Sequence, residues 1–303
     1  MGENRLRVIC GPTAAGKSAV AAALAMEYTG TVISADSRQI YRGFDIGTAK
    51  PAASELKAIP HRGIDIVAPE VRYSASEWAA SAEMWIDEAE SAGRIPLIVG
   101  GTGFYIKALF EPLFDSPDVD PARRSALEKI LGGMSLTDLE RWCGELDPHR
   151  SKLGRTQLIR AIEIALLTGY RISAFHEKEA RRPEHVPAYL VVDPGVQLAD
   201  RIVSRIDTMI GDGWLNEVSN LDRMIPEDAP AWKASGYRTI RLVARDELDL
   251  SSARARIIIE TRQYAKRQRT WFRHQLGQTS VTRVDPTSAD WEATVHRWWK
   301  ETS

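Results

Sequence analysis

The chain has 303 residues, 44% hydrophobic and 27% charged, enough to bury a sizeable core in one domain plus an insert, or in two domains. A formal net charge of −1 excludes a globally basic nucleic-acid binder but leaves room for a local basic face. The two cysteines, Cys10 and Cys143, support neither a disulfide framework nor a zinc site. With no signal-peptide pattern and no run of about 18 apolar residues, no membrane partner is expected and the compartment expected is the cytoplasm.

The apolar run Leu6–Cys10 reads as a strand, with Cys10 a buried free thiol. Directly after it, Gly11-Pro12-Thr13-Ala14-Ala15-Gly16-Lys17-Ser18 spells G-x-x-x-x-G-K-S, and the Ala-rich stretch Ala19–Glu27 follows as a helix. Strand, loop and helix together mark a phosphate-binding loop. Its glycines let backbone N–H groups curl toward phosphate oxygens, and the helix dipole favours the same anion. Lys17 should reach a terminal phosphate and the Ser18 hydroxyl a magnesium ion. The loop by itself does not say which diphosphate or triphosphate it holds.

Further strands are expected at Thr31–Ser34, Gly63–Val67, Leu97–Val99 and Tyr189–Val192. Ser74-Ala75-Ser76-Glu77 is a capping box opening a helix to about Ala92, stopped by Gly93. Asp115–Pro121 has linker composition, and from Ala122 the pattern is helical with no strand, including Arg155–Thr168 ended by Gly169. Helices dominate again from Gln197 to His274. The architecture these patterns suggest is α/β: a P-loop-type parallel sheet core flanked by helices (residues 1–115 and 187–303) with an all-helical insertion at 116–186.

Ligands of open parallel sheets bind beyond the carboxyl ends of the strands. Besides the phosphate loop, Ala35-Asp36-Ser37-Arg38-Gln39 and Gly100-Gly101-Thr102-Gly103 sit at such ends. Asp36 there can serve magnesium or act as a general base, although Asp is also a common turn former. Gly100–Gly103 can offer amides and the Thr102 hydroxyl to a phosphate, or be a plain turn. From Arg254 to Arg273 seven basic residues face one acid, Glu260, with Arg262, Lys266, Arg269 and Arg273 at helical spacing. In a neutral protein this favours polyanion contact over a merely solvated face. Trp232–Arg238 is a second aromatic and cationic loop, whose Arg238 can clamp a pyrophosphate, stack on a base, or form a surface ion pair.

Longer strings carry a resemblance. The phosphate loop, Ser34–Gln39 with Ile40–Pro51, His61-Arg62, Ile98–Gly103, Arg160-Ala161-Ile162-Glu163, Gly236-Tyr237-Arg238 and Thr261–Gln268 together resemble the bacterial tRNA dimethylallyltransferase (isopentenyltransferase) family over nearly the whole length. Asp45–Pro51 has no role that spacing or chemistry suggests, yet beside the phosphate loop it is highly specific to that family. The resemblance implies that Gly11–Ser18 hold dimethylallyl diphosphate, not a nucleoside triphosphate. It implies Asp36 as general base on the exocyclic amine of the adenosine 3′ to the anticodon. Lys17, Thr102, Arg238 and Mg2+ would stabilise the leaving diphosphate. It also implies contacts to the tRNA anticodon stem-loop from Asp36, Ser37, Arg38 and Gln39, and from Thr156, Gln157, Leu158, Ile159 and Arg160 in the insertion. The family often has Arg where this chain has Gln157. Arg124 falls at a further contact position, and the basic helix adds Lys266 and Arg269. No obligate protein partner is implied, and a monomer is expected.

Three other readings compete. A P-loop small-molecule kinase shares the first third but leaves Asp45–Pro51, the insertion and the basic helix unexplained. A free-nucleotide isopentenyltransferase has no need of a helical insertion. A non-catalytic RNA-binding ATPase module predicts that Asp36 is dispensable.

Overall fold

The structure, a computed structural model, describes residues 5–111, 119–176, 185–276 and 281–302. Its strands are β1 (Arg5–Cys10), β2 (Gly30–Ser34), β3 (His61–Arg62), β4 (Ile95–Gly100), β5 (Val186–Val192) and β6 (Val281–Val284). They form one parallel sheet in the order β3-β2-β4-β1-β5-β6, the α/β class that the alternating pattern predicts. Central β4 is a near-continuous apolar run, and β1 is apolar and buried from Val8 to Cys10, as sheets covered on both faces require. Against them α1 (Lys17–Glu27) and α13 (Trp291–Glu301) contribute Leu24, Trp298 and Trp299 to one core with Ile9, Leu97 and Leu190.

Register sets the site. Cys10 lies opposite Gly100 and Val191, while Ser34 lies opposite Val99. The loops after β1, β2 and β4 therefore leave the sheet at one edge. From β1 the chain goes to β2 and outward to β3, comes back to place β4 between β2 and β1, and crosses to the other side of β1 with β5, which opens a crevice above β1. Buried Trp78 of α3 (Ala75–Ser91) donates its indole N–H to the Ser34 carbonyl at 2.9 Å, fixing the chain just before Asp36. The Ser74–Glu77 capping box that opens α3 is present.

Two elements differ from expectation. The third strand is His61–Arg62, not Gly63–Val67. Gly63 (φ +77°) and Asp65 (φ +56°) take left-handed conformations that end any extended run. The sixth strand, Val281–Val284, has too little pattern of its own and owes its extension to pairing with Tyr189–Val192.

The chain divides into two compact units, Met1–Phe110 with Pro183–Ser303, and Glu111–Arg182; sequence pattern suggested 116–186 for the latter, yet Val186 already opens β5. Most of the expected linker, Asp115–Pro121, lies outside the described residues. Within the second unit α5 (Pro121–Gly132), α6 (Leu136–Leu146), α7 (Arg155–Thr168) and α8 (Ile172–His176) carry no strand among the described residues. Leu131, Leu139, Leu158 and Ile162 form this unit's own core. Gly169, at φ +76°, ends α7.

The string Asp45–Pro51 is a docked loop. Its amides at Asp45 and Ile46 donate to Glu217 Oε2 of α10 (Trp214–Asp222) at 3.1 and 2.7 Å. Gly47 N–H donates to the Tyr237 hydroxyl (3.1 Å), which donates to Glu217 Oε1 (2.6 Å). Lys50 is buried between Asp45 and Asp65. A Cβ on Gly47 would lie 2.3 Å from the Trp214 ring. Gly47→Ala should therefore destabilise the protein by about 1–3 kcal/mol through overpacking, read as a lowered midpoint of denaturant unfolding.

Candidate active site

The phosphate loop takes positive φ at Gly11 (+144°), Ala14 (+60°) and Gly16 (+101°); the two glycines do so freely, whereas Ala14 carries a Cβ into a sparsely populated region. At Gly11 a Cβ would lie 2.2 Å from the Val192 carbonyl oxygen, so only glycine lets the loop lie this close to β5. Thr13, Ala14, Ala15, Gly16, Lys17 and Ser18 line a cavity of about 530 Å³. Lys17 Nζ donates to the Pro12 carbonyl at 2.7 Å. Burial and then the Arg205 charge push the Lys17 ammonium down to about 8, with Asp36 opposing. An anion placed here would favour the ammonium and raise this value again.

Asp36 follows β2 and accepts the Arg38 N–H at 2.9 Å in a turn. Its loop is held by Thr102: the Ser37 N–H donates to Thr102 Oγ1 at 3.0 Å, and Thr102 N–H donates to the Ala35 carbonyl at 3.1 Å. Thr102 thus braces the Asp36 loop instead of turning its amide to a phosphate. Glycines of this stretch serve close packing. A Cβ at Gly100 would meet Ala35 O at 2.1 Å, at Gly101 Gln268 Nε2 at 2.4 Å, and at Gly103 the Trp271 ring at 2.3 Å. Gln39 has its amide engaged by Ser34 (2.9 Å) and the Ala49 carbonyl (3.0 Å).

A second cavity, about 540 Å³, is lined by Arg38, Trp214, Lys233, Arg238, Arg256 and Arg267 among others. Thr13, Asp36, Arg205 and Tyr264 line both cavities, so Asp36 stands where they meet. The Tyr264 phenol is pushed up to about 12, first by burial and then by Asp36; it stays neutral at physiological pH.

The arginines are distributed differently from expectation. Arg238, at the start of α11 (Tyr237–Ala244), lines the second cavity and not the one formed by the phosphate loop. Arg201 and Arg205, one turn apart on α9 (Leu198–Gly211), line the phosphate-loop cavity. Burial lowers the Arg205 pKa, with Asp36 opposing. Sequence reading missed both, because two arginines four apart on an amphipathic helix look like a solvated face. On α12 (Leu250–His274) the cations reaching the second cavity are Arg256 and Arg267, with Ile257, Glu260, Thr261, Gln263 and Tyr264 beside them. Lys266 is exposed away from it, and Arg269 is paired with Asp193.

In the second unit Thr156 and Gln157 are exposed, Leu158 is fully buried in the core, and Ile159 packs against it. Gln157 Oε1 accepts the Gly154 N–H at 3.3 Å. Arg124 and Arg160 both pair with buried Glu163, at 3.5 and 3.4 Å. Burial raises the Glu163 pKa, with the Arg124 charge opposing.

Among the described residues no cluster of three or more His, Cys, Asp or Glu could hold a metal ion. Ser18, however, is exposed and shares a cavity with Asp36. One hydroxyl and one carboxylate fit magnesium only when phosphate oxygens and water complete its shell. No helix among the described residues is long and apolar enough to cross a membrane.

A family model described as IPP transferase matches residues 39–275, and one described as Isopentenyl transferase matches residues 4–63. A tRNA dimethylallyltransferase of Acaryochloris marina is 35% identical over 98% of this chain and 96% of its own. One of Geobacter metallireducens is 39% identical over 89% and 90%. The tRNA isopentenylpyrophosphate transferase structure of Bacillus halodurans superposes with a TM-score of 0.69 at 32% identity, covering 99% and 97%. A eukaryotic dimethylallyltransferase, captured acting on tRNA, gives 0.74 at 25% identity, covering 89% of this chain and 70% of the other.

Proposed function

Since the chain belongs to the IPP transferase family of tRNA-modifying enzymes, we propose that it transfers the dimethylallyl group of dimethylallyl diphosphate to the exocyclic amine of the adenosine 3′-adjacent to the anticodon. The products are N6-dimethylallyladenosine in tRNA and diphosphate. The observation that carries this reading is the position of Asp36 at the meeting of two cavities. One is built on a phosphate loop, with apolar Val32, Ile64 and Val99 among its walls; the other is aromatic and cationic.

In this reading the donor's diphosphate lies on Gly11–Ser18 and its five-carbon chain against the apolar walls. The adenine, taken out of the anticodon loop, enters the second cavity, where cationic side chains and Trp214 suit a base and its flanking phosphates. Its N6 lone pair attacks the allylic methylene carbon, the carbon–oxygen bond to diphosphate breaks, and Asp36 accepts the N6 proton. Negative charge gathers on the leaving diphosphate. Lys17, Arg201 and Arg205 stand on that side to stabilise it, and Ser18 is the residue that would hold a magnesium ion, whose charge would offset that of the diphosphate. Arg238 belongs to the acceptor side. Arg124, Arg160, Thr156 and Gln157 are the candidates for tRNA backbone contacts in the second unit.

The test is incubation with labelled dimethylallyl diphosphate and total tRNA, followed by nucleoside analysis. Labelled N6-dimethylallyladenosine is expected. Phosphoryl transfer from ATP to a small acceptor without any prenyl transfer would restore the kinase reading.

A further inference from the structure

We propose that Gln268 is a positioning residue for the donor site: its side-chain amide fixes the phosphate loop to the glycine loop after β4 and ties both to helix α12. Gln268 Oε1 accepts the Thr13 N–H at 2.8 Å, and Gln268 Nε2 donates to the Gly101 carbonyl at 2.8 Å. The orientation of the amide is settled by chemistry, since a peptide N–H can only donate and a carbonyl can only accept. The side chain comes from the far end of the sequence, 255 residues from Thr13, and Gln268 is only 7% exposed. Neither partner can turn to water without leaving a buried polar group unmatched. The absence of a side chain at Gly101 makes the contact possible, because a Cβ there would lie 2.4 Å from Gln268 Nε2.

Two consequences follow from this geometry. The Thr13 amide, which a phosphate loop could offer to its anion, is already committed to the protein, so Gln268 presets the loop's curvature before the donor arrives. That lowers the ordering cost of binding. In addition, Tyr264 lies one turn earlier on the same helix and lines both cavities together with Asp36. A single helix that lines the acceptor cavity through Tyr264 and Arg267 therefore also braces the donor cradle through Gln268.

The inference rests on the reading that the phosphate-loop cavity receives the donor's diphosphate. The experiment uses the full chain carrying Gln268→Met, which keeps volume and removes both hydrogen bonds. Gly101→Ala, which displaces the same amide from the other side, is the second variant should the first fail to fold. Inorganic diphosphate binding by calorimetry, the KM for dimethylallyl diphosphate and the Kd for tRNA are measured beside thermal unfolding. Loss of two neutral hydrogen bonds should weaken diphosphate binding and raise the donor KM about tenfold or more, with the tRNA Kd within about twofold of wild type. A folded Gln268→Met protein with unchanged diphosphate affinity, or with tRNA binding weakened in equal proportion, overturns the proposal. Wild-type protein that binds no diphosphate and transfers no prenyl group would instead tell against the function proposed above.

Discussion

Asp36→Ala should lower prenyl transfer at saturating donor and tRNA by at least about 100-fold, the contribution of a positioned general base. Its tRNA affinity should stay within a few-fold of wild type. The reasoning is geometric. Asp36 is the carboxylate that lines both cavities, and its loop is braced independently by Thr102 and the Ser37 amide. Removing the carboxylate therefore leaves the walls of either cavity standing. An adenine exocyclic amine is a poor nucleophile because its lone pair is delocalised into the ring. Taking its proton as the new bond forms is where a base helps most. Single-turnover kinetics with prebound tRNA separate the two effects. A variant that binds tRNA normally and still transfers at near wild-type rate would remove Asp36 from the chemistry.

Lys17→Ala should cost at least about 100-fold in kcat/KM for dimethylallyl diphosphate, in the range seen for loss of a charge stabiliser at a developing anion. A pH signature should accompany it. Burial and the nearby Arg205 disfavour the charged ammonium, holding Lys17 at about 8 without ligand. A bound diphosphate favours the charged form and raises that value. Binding should thus take up a proton on Lys17 at pH above about 8, and diphosphate affinity should fall as pH rises through that range. Calorimetry in buffers of different ionisation enthalpy reads the uptake directly. In Lys17→Ala the Lys17-linked uptake should vanish along with most of the affinity; uptake that persists unchanged would place the titrating group elsewhere.

What could be read locally was read well where covalent spacing dictates the answer. G-x-x-x-x-G-K-S after an apolar run fixes strand, loop and helix within 18 residues, and the Ser74–Glu77 box fixes the start of α3. Other features depend on partners distant in the chain. Gly63–Val67 has strand composition, but positive φ at Gly63 and Asp65 shows only once the turn is built. Asp45–Pro51 carries no legible chemistry by itself because its meaning lies in Glu217, Trp214 and Tyr237. Gly100–Gly103 read equally as a phosphate contact or a plain turn, and only the fold shows that these glycines make room for Ala35, Gln268 and Trp271.

Sequence by itself determined the parallel α/β core, the strand–loop–helix unit around G-x-x-x-x-G-K-S and the presence of a helical second unit, because periodicity and loop chemistry are properties of neighbouring residues. Tertiary structure alone decided which cations reach the site. Arg201 and Arg205 stand one turn apart on α9 much as Lys266 and Arg269 do on α12, yet only the first pair lines the cavity, because spacing is blind to which face a helix buries. Sheet register likewise decided that the loops after β1, β2 and β4 converge, putting Asp36 between two cavities and Gln268 within hydrogen-bond reach of Thr13.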